Sequence, residues 1–289
     1  MELRSKTLAG KVTFRGVGIH TGEVSKLTLH PSEDKGIFFY RKGELLPALH
    51  PFVVNAVAST DLAKGNFLVK TVEHLTAALY LLGVDSVLIE VEYGSEVPIL
   101  DGGAKTFVEE VLSVGLRETG RRQTLLRVKE KVRVQPNGNF IEVLPFEGEL
   151  FEYEGEFPFV GRKRAVFDGK PTEALLGART FCRLEDFPLL WANRLGLGGY
   201  PVNTLALDES LRYLVYSEEP AYHKLLDLIG DLALLGGRLV GRVYSFKGNH
   251  LLNHQLREVL LKGGYLEREE AGASRGREPL RPSASGTAS

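Results

Sequence analysis

The chain has 289 residues, which is enough for two domains of ordinary size, each with its own buried core. Apolar residues make up 43% and charged residues 25%, and the formal net charge of -1 gives no overall field that would recruit nucleic acid or an anionic membrane. The single cysteine, Cys182, excludes an internal disulfide and a zinc site built from several cysteines. A metal site in this chain would therefore need histidine and carboxylate ligands.

The start of the chain and its apolar runs suggest where the protein acts. The opening segment MELRSKTLAGKVTF lacks the long apolar core of a signal peptide, and no apolar run approaches the roughly 18 residues of a membrane helix. We therefore expect a cytoplasmic protein without a transmembrane segment. We also expect a monomer that does not bind nucleic acid.

The first half of the sequence predicts strands followed by a helix, a strand and a second helix. Apolar and polar residues alternate in the segments KVTFRGV, SKLTLHP and GIFFYRK, as in strands with one buried face. The segment VEHLTAALYLL has helical periodicity, with Thr71 placed to cap its start and Gly83 placed to end it. The strand SVLIEVEY and the helix AKTFVEEVLSVG follow.

The second half repeats this order of elements after a charged stretch, 117–124, which we predict to be a linker. Strand patterns restart in LLRVKEKVRVQP, NFIEVLPF and LFEYEGEFPF, and a helix follows in PAYHKLLDLIGDLALLGG. The strand RLVGRVYSF and the helix NHQLREVLLKGG complete the repeat. This order predicts a duplicated α+β unit with domains at 1–120 and 121–266. The tail 267–289, rich in Ser, Gly, Ala and charge, is expected to be disordered.

A polar stripe follows one face of the second-half helix. His223, Asp227 and Asp231 are four residues apart and therefore share a face, while leucines and an isoleucine fill the opposite face. Aspartates on a buried helix need partners, because removing a charge from water without one costs several kcal/mol. A metal cation, the histidine and the neighbouring Lys224 would provide them. The same spacing also occurs in simple surface or capping contacts.

The corresponding helix of the first half begins with Glu73 and His74. If the two helices pack against each other, His74 joins His223 and Asp227 at the interface. Three protein ligands with an open fourth position are the pattern of catalytic zinc, which activates water at neutral pH. Glu73 would then be placed to take a proton from water. Alternatively, its carboxylate only complements the positive end of the helix dipole.

A further histidine, His250, follows a predicted strand at a turn where side chains can face a cleft. It is a candidate second acid, although a loop histidine can also be an ordinary surface residue. The chain contains no phosphate-binding loop of the nucleotide hydrolases. The segment Gly16-Val-Gly18 is not followed by the helix that a dinucleotide-binding fingerprint requires. Kinase and dehydrogenase functions are therefore not supported.

These motifs resemble a known family, the UDP-3-O-acyl-N-acetylglucosamine deacetylases, which are zinc enzymes of lipid A synthesis in Gram-negative bacteria. The resemblance extends along nearly the whole chain and ends at about Glu267. It lies in the segments GVGIHTG, TVEHLTAAL, VPILDGGA, ARTFC, HKLLDLIGDL and GNHLLN. The family often has a second glycine where this chain has Asn249.

The resemblance implies an α+β fold of two similar domains, each a sheet with two helices. These pack as a β-α-α-β sandwich with the active site at the domain interface. It also implies a zinc site whose ligands are His74, His223 and Asp227. Glu73 would be the base and His250 the general acid.

The resemblance also implies roles for residues around the zinc site. Asp231 would orient His250, and Thr180 would help to polarise the substrate carbonyl. Lys224 would meet the charge of the nucleotide or of the oxyanion. In this family the second domain carries an insert that forms an apolar passage for the 3-O-acyl chain, which corresponds to 179–204 here.

Substrate contacts are expected from the insert and from the first domain. Phe181 and Leu195 would provide apolar surface in the passage, although an ordinary amphipathic core helix in this stretch is the alternative. His20, in the GVGIHTG segment, is the expected contact from the first domain.

The expected reaction is zinc-dependent hydrolysis of the N-acetyl group of UDP-3-O-acyl-N-acetylglucosamine to the free amine and acetate. This is an early committed step of lipid A biosynthesis. One alternative is a zinc amidohydrolase acting on another N-acyl substrate. The other is a non-catalytic module that holds a nucleotide sugar and uses the polar stripe only for structure.

Overall fold

The computed structural model describes residues 3–270, which form an α+β protein with two halves. The strands of the first half are β1 (Arg4–Leu8), β2 (Val12–Val17), β3 (Val24–Pro31), β4 (Gly36–Arg41), β5 (Glu44–Pro47), β6 (Val53–Ala56), β7 (Thr60–Lys64), β8 (Phe67–Val69) and β9 (Ser86–Tyr93). Its helices are α1 (Glu73–Leu82) and α2 (Lys105–Val114).

The second half follows strand β10 (Leu116–Arg122). Its strands are β11 (Thr124–Val128), β12 (Val132–Val134), β13 (Phe140–Leu144), β14 (Glu149–Phe157), β15 (Gly161–Phe167), β16 (Thr180–Arg183), β17 (Thr204–Leu207), β18 (Arg238–Phe246) and β19 (Leu266–Glu270). Its helices are α3 (Glu173–Leu176), α4 (Phe187–Ala192), α5 (Glu219–Ala233) and α6 (His250–Lys262). None of the helices within residues 3–270 is long and apolar enough to cross a membrane.

Each half packs helices against a sheet. The first sheet has the order β2-β3-β9-β4-β5, and α2 contacts it where the rings of Phe14 and Phe107 lie 4.9 Å apart. The second has the order β12-β13-β18-β11-β19, with β14 paired to β18 and β15 paired to β14. Helices α5 and α6 contact this second sheet, and α1 packs directly against α5. The helices therefore lie inside, which confirms the predicted β-α-α-β arrangement.

The central helices approach each other closely at Gly230 of α5. A Cβ atom at this position would lie 1.9 Å from the backbone oxygen of Glu73, so only glycine permits the observed approach. Across the same contact, the Thr76 hydroxyl donates a hydrogen bond to the backbone oxygen of Gly230 (2.9 Å). This contact brings the start of α1 against the polar face of α5.

The start of α1 differs from the prediction. Val72, not Thr71, occupies the N-cap position, and no side chain caps the helix. Thr71 has a φ of 54°, and its hydroxyl donates to Glu96 (2.8 Å). The backbone amide of Val72 donates to the oxygen of Thr60, so strand β7 holds the start of the helix. The predicted end at Gly83 is confirmed, since Gly83 has the left-handed conformation of a helix C-cap.

The charged stretch between the halves is not the predicted linker. It forms strand β10 and the first residue of β11, and β10 pairs antiparallel with β1 across the predicted boundary between residues 120 and 121. Every residue of β10 is exposed or half-buried. A two-stranded ribbon at the surface needs few apolar side chains, so its sequence lacks the usual strand pattern.

Two predictions about the C-terminal part are also corrected. Helix α6 begins at His250, and the side chain of Asn249 caps it by accepting a hydrogen bond from the amide of Leu252 (2.9 Å). His250 therefore lies in the first turn of a helix and not in a loop. Strand β19 extends to Glu270 and pairs with β11, so disorder from residue 267 onward is wrong for 267–270. Residues 271–289 of the expected tail lie outside the described residues.

Candidate metal centre and active site

Three potential metal ligands converge where α1 packs against α5. His74 comes from α1, and His223 and Asp227 come from successive turns of α5. The Oδ1 atom of Asp227 lies 3.5 Å from the Nε2 atom of each histidine, and one ligand atom from each residue lies within 4.8 Å of the others. All three residues are buried. The helix packing therefore brings the predicted ligand set together between the two halves.

The ring of His223 is oriented for ligation. Its Nδ1 atom donates to the backbone oxygen of Ala178 (3.0 Å), which leaves the lone pair of Nε2 on the side of Asp227. Burial lowers the pKa of His223 to about 3. The ring is therefore neutral at physiological pH, which is the form that binds a metal.

An unpaired buried atom lies at the centre of this set. Within residues 3–270, the Oδ1 atom of Asp227 has no hydrogen-bond partner, while its Oδ2 atom accepts from Nζ of Lys224 (2.9 Å). A buried acceptor left unpaired costs about 1–3 kcal/mol. A divalent cation between Asp227 and the two imidazoles would satisfy it. The residues present therefore fit a small divalent cation.

Glu73, the first residue of α1, lies beside the ligand set. It is 2% exposed, and its Oε2 atom accepts a hydrogen bond from the backbone amide of Thr60 (3.0 Å). Its other oxygen, Oε1, is 3.7 Å from Nε2 of His250. Burial raises the pKa of Glu73 to about 7. A carboxylate with a near-neutral pKa is suited to accept and release a proton at physiological pH.

His250 faces Glu73 from the other half of the molecule. Its Nδ1 atom donates to Oδ2 of Asp231 (2.9 Å), and its Nε2 atom lies 3.7 Å from Oδ2 of Asp227. Burial favours the neutral ring, but the carboxylates of Asp231, Asp227 and Glu73 outweigh it and raise the pKa of His250 to about 9. These carboxylates therefore favour the protonated ring of His250. The site thus brings a buried carboxylate and a buried imidazole together next to a potential cation site.

The sequence is similar to proteins of one family along most of its length. The family model described as "LpxC: UDP-3-O-acyl N-acetylglycosamine deacetylase" matches residues 5–262. A UDP-3-O-acyl-N-acetylglucosamine deacetylase of Aquifex aeolicus (strain VF5) is 42% identical over 270 residues, covering 91% of this chain and 95% of the relative. The chain belongs to the UDP-3-O-acyl N-acetylglycosamine deacetylase family.

Other relatives agree with this membership. Proteins with the same description from Nautilia profundicola and Brucella melitensis biotype 2 are 34% and 36% identical, each over 90% of this chain. The alignments cover 92% and 96% of those relatives. The family resemblance inferred from the motifs is therefore confirmed.

In this member of the deacetylase family, Lys224 and Phe181 border the ligand set. The Nζ atom of Lys224 lies 5.6 Å from the ring centre of Phe181, and the ring of Phe181 packs edge-on against that of His223 at 5.9 Å. Lys224 also donates a hydrogen bond to Asp227, so its ammonium group is paired with a buried carboxylate. Both predicted substrate contacts therefore touch residues of the ligand set.

Thr180 begins strand β16 and is half-buried. Its backbone amide donates to the oxygen of Gly102 (2.8 Å), which fixes the strand. Its hydroxyl makes no hydrogen bond to any part of the chain between residues 3 and 270. Ala178, whose carbonyl orients His223, precedes it by two residues. The chain segment of Thr180 therefore reaches the ligand set, although no described contact joins its hydroxyl to a ligand.

The insert 179–204 of this deacetylase is not a core helix. Helix α4 is short and has no buried residue, so the alternative of an amphipathic core helix is wrong. A groove of about 490 Å³ lies beside the insert, and its lining residues are Pro158, Phe181, Cys182, Arg183, Asp186, Leu189, Leu190 and Leu207. Phe181 thus lines this groove, and its contact with the acyl chain stays a prediction. Leu195 is not among the lining residues, and its amide donates to the oxygen of Leu190 at the end of α4.

His20 links the first half to the insert. Its Nδ1 atom accepts a hydrogen bond from the amide of Gly196 (3.4 Å), and its own amide donates to Oε1 of Glu96 (2.9 Å). Burial lowers the pKa of His20, and the nearby His250 adds to this effect. A neutral ring with Nδ1 accepting presents an N–H group at Nε2. His20 therefore contacts the insert directly and interacts electrostatically with His250.

Sequence reasoning missed several residues around the His250–Asp231 pair. Asn253 donates to Oδ2 of Asp231 (2.8 Å), and the fully buried Arg257 donates to its backbone oxygen (2.7 Å). His250, Asn253 and Arg257 are three and then four residues apart and therefore share one helical face. This spacing could have indicated that Asn253 and Arg257 lie near His250. Thr60 also donates to Asp231 (2.5 Å), and no spacing pattern indicated it.

Proposed function

We propose that the protein is a zinc-dependent deacetylase that hydrolyses the N-acetyl group of UDP-3-O-acyl-N-acetylglucosamine to the free amine and acetate. This reaction would be an early committed step of lipid A biosynthesis. The observation that carries the proposal is the buried His74, His223 and Asp227 set with Glu73 and His250 beside it, in a member of this family. The relatives described as deacetylases of this substrate supply the substrate assignment.

The proposed metal is zinc because of the donor set and its spacing. Two ligand atoms about 2.0–2.1 Å from a tetrahedral ion are about 3.4 Å apart. The separations of 3.5 Å between Asp227 and the two histidines are close to that value. Two imidazoles and one carboxylate are a common catalytic zinc set, which leaves one position open. Zinc, when bound, would supply a Lewis acid for the acetyl carbonyl and for water.

Glu73 is the proposed base. Its Oε2 atom is held by the amide of Thr60, so Oε1 is the oxygen left to receive a proton from the attacking water. Its raised pKa of about 7 keeps it partly ionised at neutral pH, yet makes it a stronger base than an ordinary glutamate. The burial that causes this shift also limits access of bulk water to the carboxylate.

His250 is the proposed acid. An amine is a poor leaving group, so its nitrogen must be protonated as the C–N bond breaks. The protonated ring carries a hydrogen on Nε2, and Asp231 holds Nδ1 so that Nε2 points toward Glu73 and Asp227. Asp231 is thus a positioning residue that also keeps the ring charged.

The remaining residues fit contacts to the substrate. The unused hydroxyl of Thr180 can donate to the acetyl oxygen, and Lys224 can meet the negative charge of the nucleotide or of the oxyanion. Phe181 and the groove beside it can take the acyl chain, with His20 as a further contact from the first half. Leu195 remains a proposed contact outside the groove lining.

Measurement of acetate release tests the proposal directly. We expect acetate from UDP-3-O-acyl-N-acetylglucosamine, loss of activity with a chelator, and recovery when zinc is added back. UDP-N-acetylglucosamine without the acyl chain should react much more slowly. Comparable turnover of an acylated amino sugar without UDP would favour an amidohydrolase of different specificity. Tight binding of the nucleotide sugar with no acetate release would favour a binding module. The cytoplasmic location and the monomeric state stay predictions.

A further inference from the structure

Thr60, the first residue of β7, contacts both proton-transfer groups of the site. Its backbone amide donates to Oε2 of Glu73 (3.0 Å), and its hydroxyl donates to Oδ1 of Asp231 (2.5 Å). The same hydroxyl lies 3.5 Å from Nδ1 of His250. Thr60 is fully buried. A single residue of the first half therefore contacts both Glu73, the proposed base, and Asp231, the carboxylate of the second half that orients His250.

We propose that Thr60 is a positioning residue that sets the placement of Glu73 relative to the His250–Asp231 pair. The inference rests on the proposed deacetylase function. Within one threonine the distance from the amide nitrogen to the hydroxyl is restricted by the stiff χ1 angle of a β-branched side chain. The two donors therefore hold the two carboxylates in a fixed relation across the interface of the halves.

Thr60 is itself held rigidly by its neighbours. Its carbonyl oxygen accepts from the amide of Val72 (3.0 Å), the residue just before α1. The next residue, Asp61, accepts from the amide of Thr71 (3.0 Å) and from the hydroxyl of Ser59 (2.8 Å). Strand β7 and the start of α1 are thus joined by several hydrogen bonds, so the positions of Thr60 and Glu73 are coupled.

The hydroxyl of Thr60 matters because Asp231 is shared among several donors. Its Oδ2 atom accepts hydrogen bonds from the His250 ring and from the side-chain amide of Asn253. Its Oδ1 atom accepts a hydrogen bond from the hydroxyl of Thr60 and lies 3.3 Å from the guanidinium of Arg257. These donors fix the plane of the carboxylate. Without the hydroxyl, Oδ1 of Asp231 is expected to move toward the guanidinium of Arg257. The carboxylate then rotates, which displaces Oδ2, the oxygen that accepts from His250. The direction of the His250 ring then changes.

The test compares Thr60→Val, which removes the hydroxyl and keeps the shape and the amide, with Thr60→Ser, which restores the hydroxyl. We expect Thr60→Val to lower kcat roughly tenfold to a hundredfold, the usual effect of losing a partner that orients an active-site side chain. KM and the zinc content should stay within about twofold, and Thr60→Ser should recover most of the kcat. The matched control is Thr28→Val, which removes a similar hydroxyl bond to Glu92 in the outer sheet.

A double-mutant cycle identifies the route of the effect. In an Asp231→Asn background, Thr60→Val should lower kcat by a much smaller factor, since the two residues act through one contact. An unchanged kcat in Thr60→Val, or a full additional loss in the Asp231→Asn background, would overturn the proposal.

A spectroscopic measurement keeps the inference separate from the proposed reaction. The Nδ1 proton of His250, assigned by its disappearance in His250→Gln, should shift in the NMR spectrum of Thr60→Val and not in that of Thr28→Val. This signal does not depend on the substrate. If wild-type protein releases no acetate but the shift is seen, the deacetylase function fails and the positioning role stands. If acetate is released and the signal does not move, the positioning role is refuted.

Discussion

Replacement of Gly230 by alanine tests the geometry on which the whole site depends. Alanine favours a helix over glycine by about 1 kcal/mol, so propensity alone predicts a more stable protein. The new methyl group would lie 1.9 Å from the oxygen, 2.7 Å from the carbonyl carbon and 3.0 Å from the Cα atom of Glu73. A carbon and an oxygen need roughly 3.3 Å, so the helices must separate by more than about 1 Å. Overpacking of a core costs about 1–3 kcal/mol, and backbone atoms cannot rotate away.

We therefore expect Gly230→Ala to lower the free energy of unfolding by up to about 2 kcal/mol, since the overpacking cost is offset by about 1 kcal/mol of propensity, measured by urea denaturation. Because the displaced residue is the proposed base, a shift of about 1 Å should also reduce kcat by roughly a hundredfold. Gly10→Ala is the control, since a Cβ atom there meets only ordinary contacts, the nearest at 3.6 Å. A Gly230→Ala variant that is more stable than wild type and fully active would refute the close packing of α1 on α5.

Further variants test the roles within the site. His223→Ala or Asp227→Ala should each remove the zinc, because two remaining ligands hold the ion too weakly, and elemental analysis would show a retained ion if the ligand assignment is wrong. Glu73→Gln should keep the zinc and lose roughly two or more orders of magnitude in kcat, and near-normal turnover would reduce Glu73 to a helix-end carboxylate. Activity should fall at low pH as Glu73 is protonated and at high pH as His250 loses its proton, through pKa values of about 7 and about 9. Since the carboxylate of Asp231 raises the pKa of His250, Asp231→Asn should move the alkaline limb of the pH profile to lower pH, and an unmoved limb would assign the acid to another group.

Much of the site could be predicted because its residues follow helical periodicity. His223 and Asp227 share a face of α5 at a spacing of four residues, and the apolar residues around them indicate burial. His74 needed one more step, the packing of α1 against α5, which the repeated order of elements suggested. The grouping of these three side chains was therefore accessible from local patterns together with one assumption about how the halves meet.

Contacts between side chains distant in sequence could not be predicted in the same way. Thr60 and Asp231 are 171 positions apart, and their hydrogen bond depends on how β7 passes the end of α5. The sequence predicts Thr71 as the N-cap of α1, because a threonine before a helix usually caps it. In the structure its hydroxyl donates a hydrogen bond to Glu96 instead. At Thr71 a tertiary contact overrides a local preference, and neither contact leaves a periodic signal in the sequence.

The split origin of the proposed ligand set would make a bound ion a thermodynamic link between the halves. An ion that binds His74 together with His223 and Asp227 binds only when α1 and α5 are docked. Binding to the docked state alone adds RT ln(1 + [L]/Kd) to its stability, which is about 4 kcal/mol when the free ion exceeds its Kd a thousandfold. This is comparable to the stabilisation that a disulfide gives a folded domain. In a chain that has one cysteine and no internal disulfide, the ion would therefore act as a reversible cross-link whose strength depends on the supply of metal.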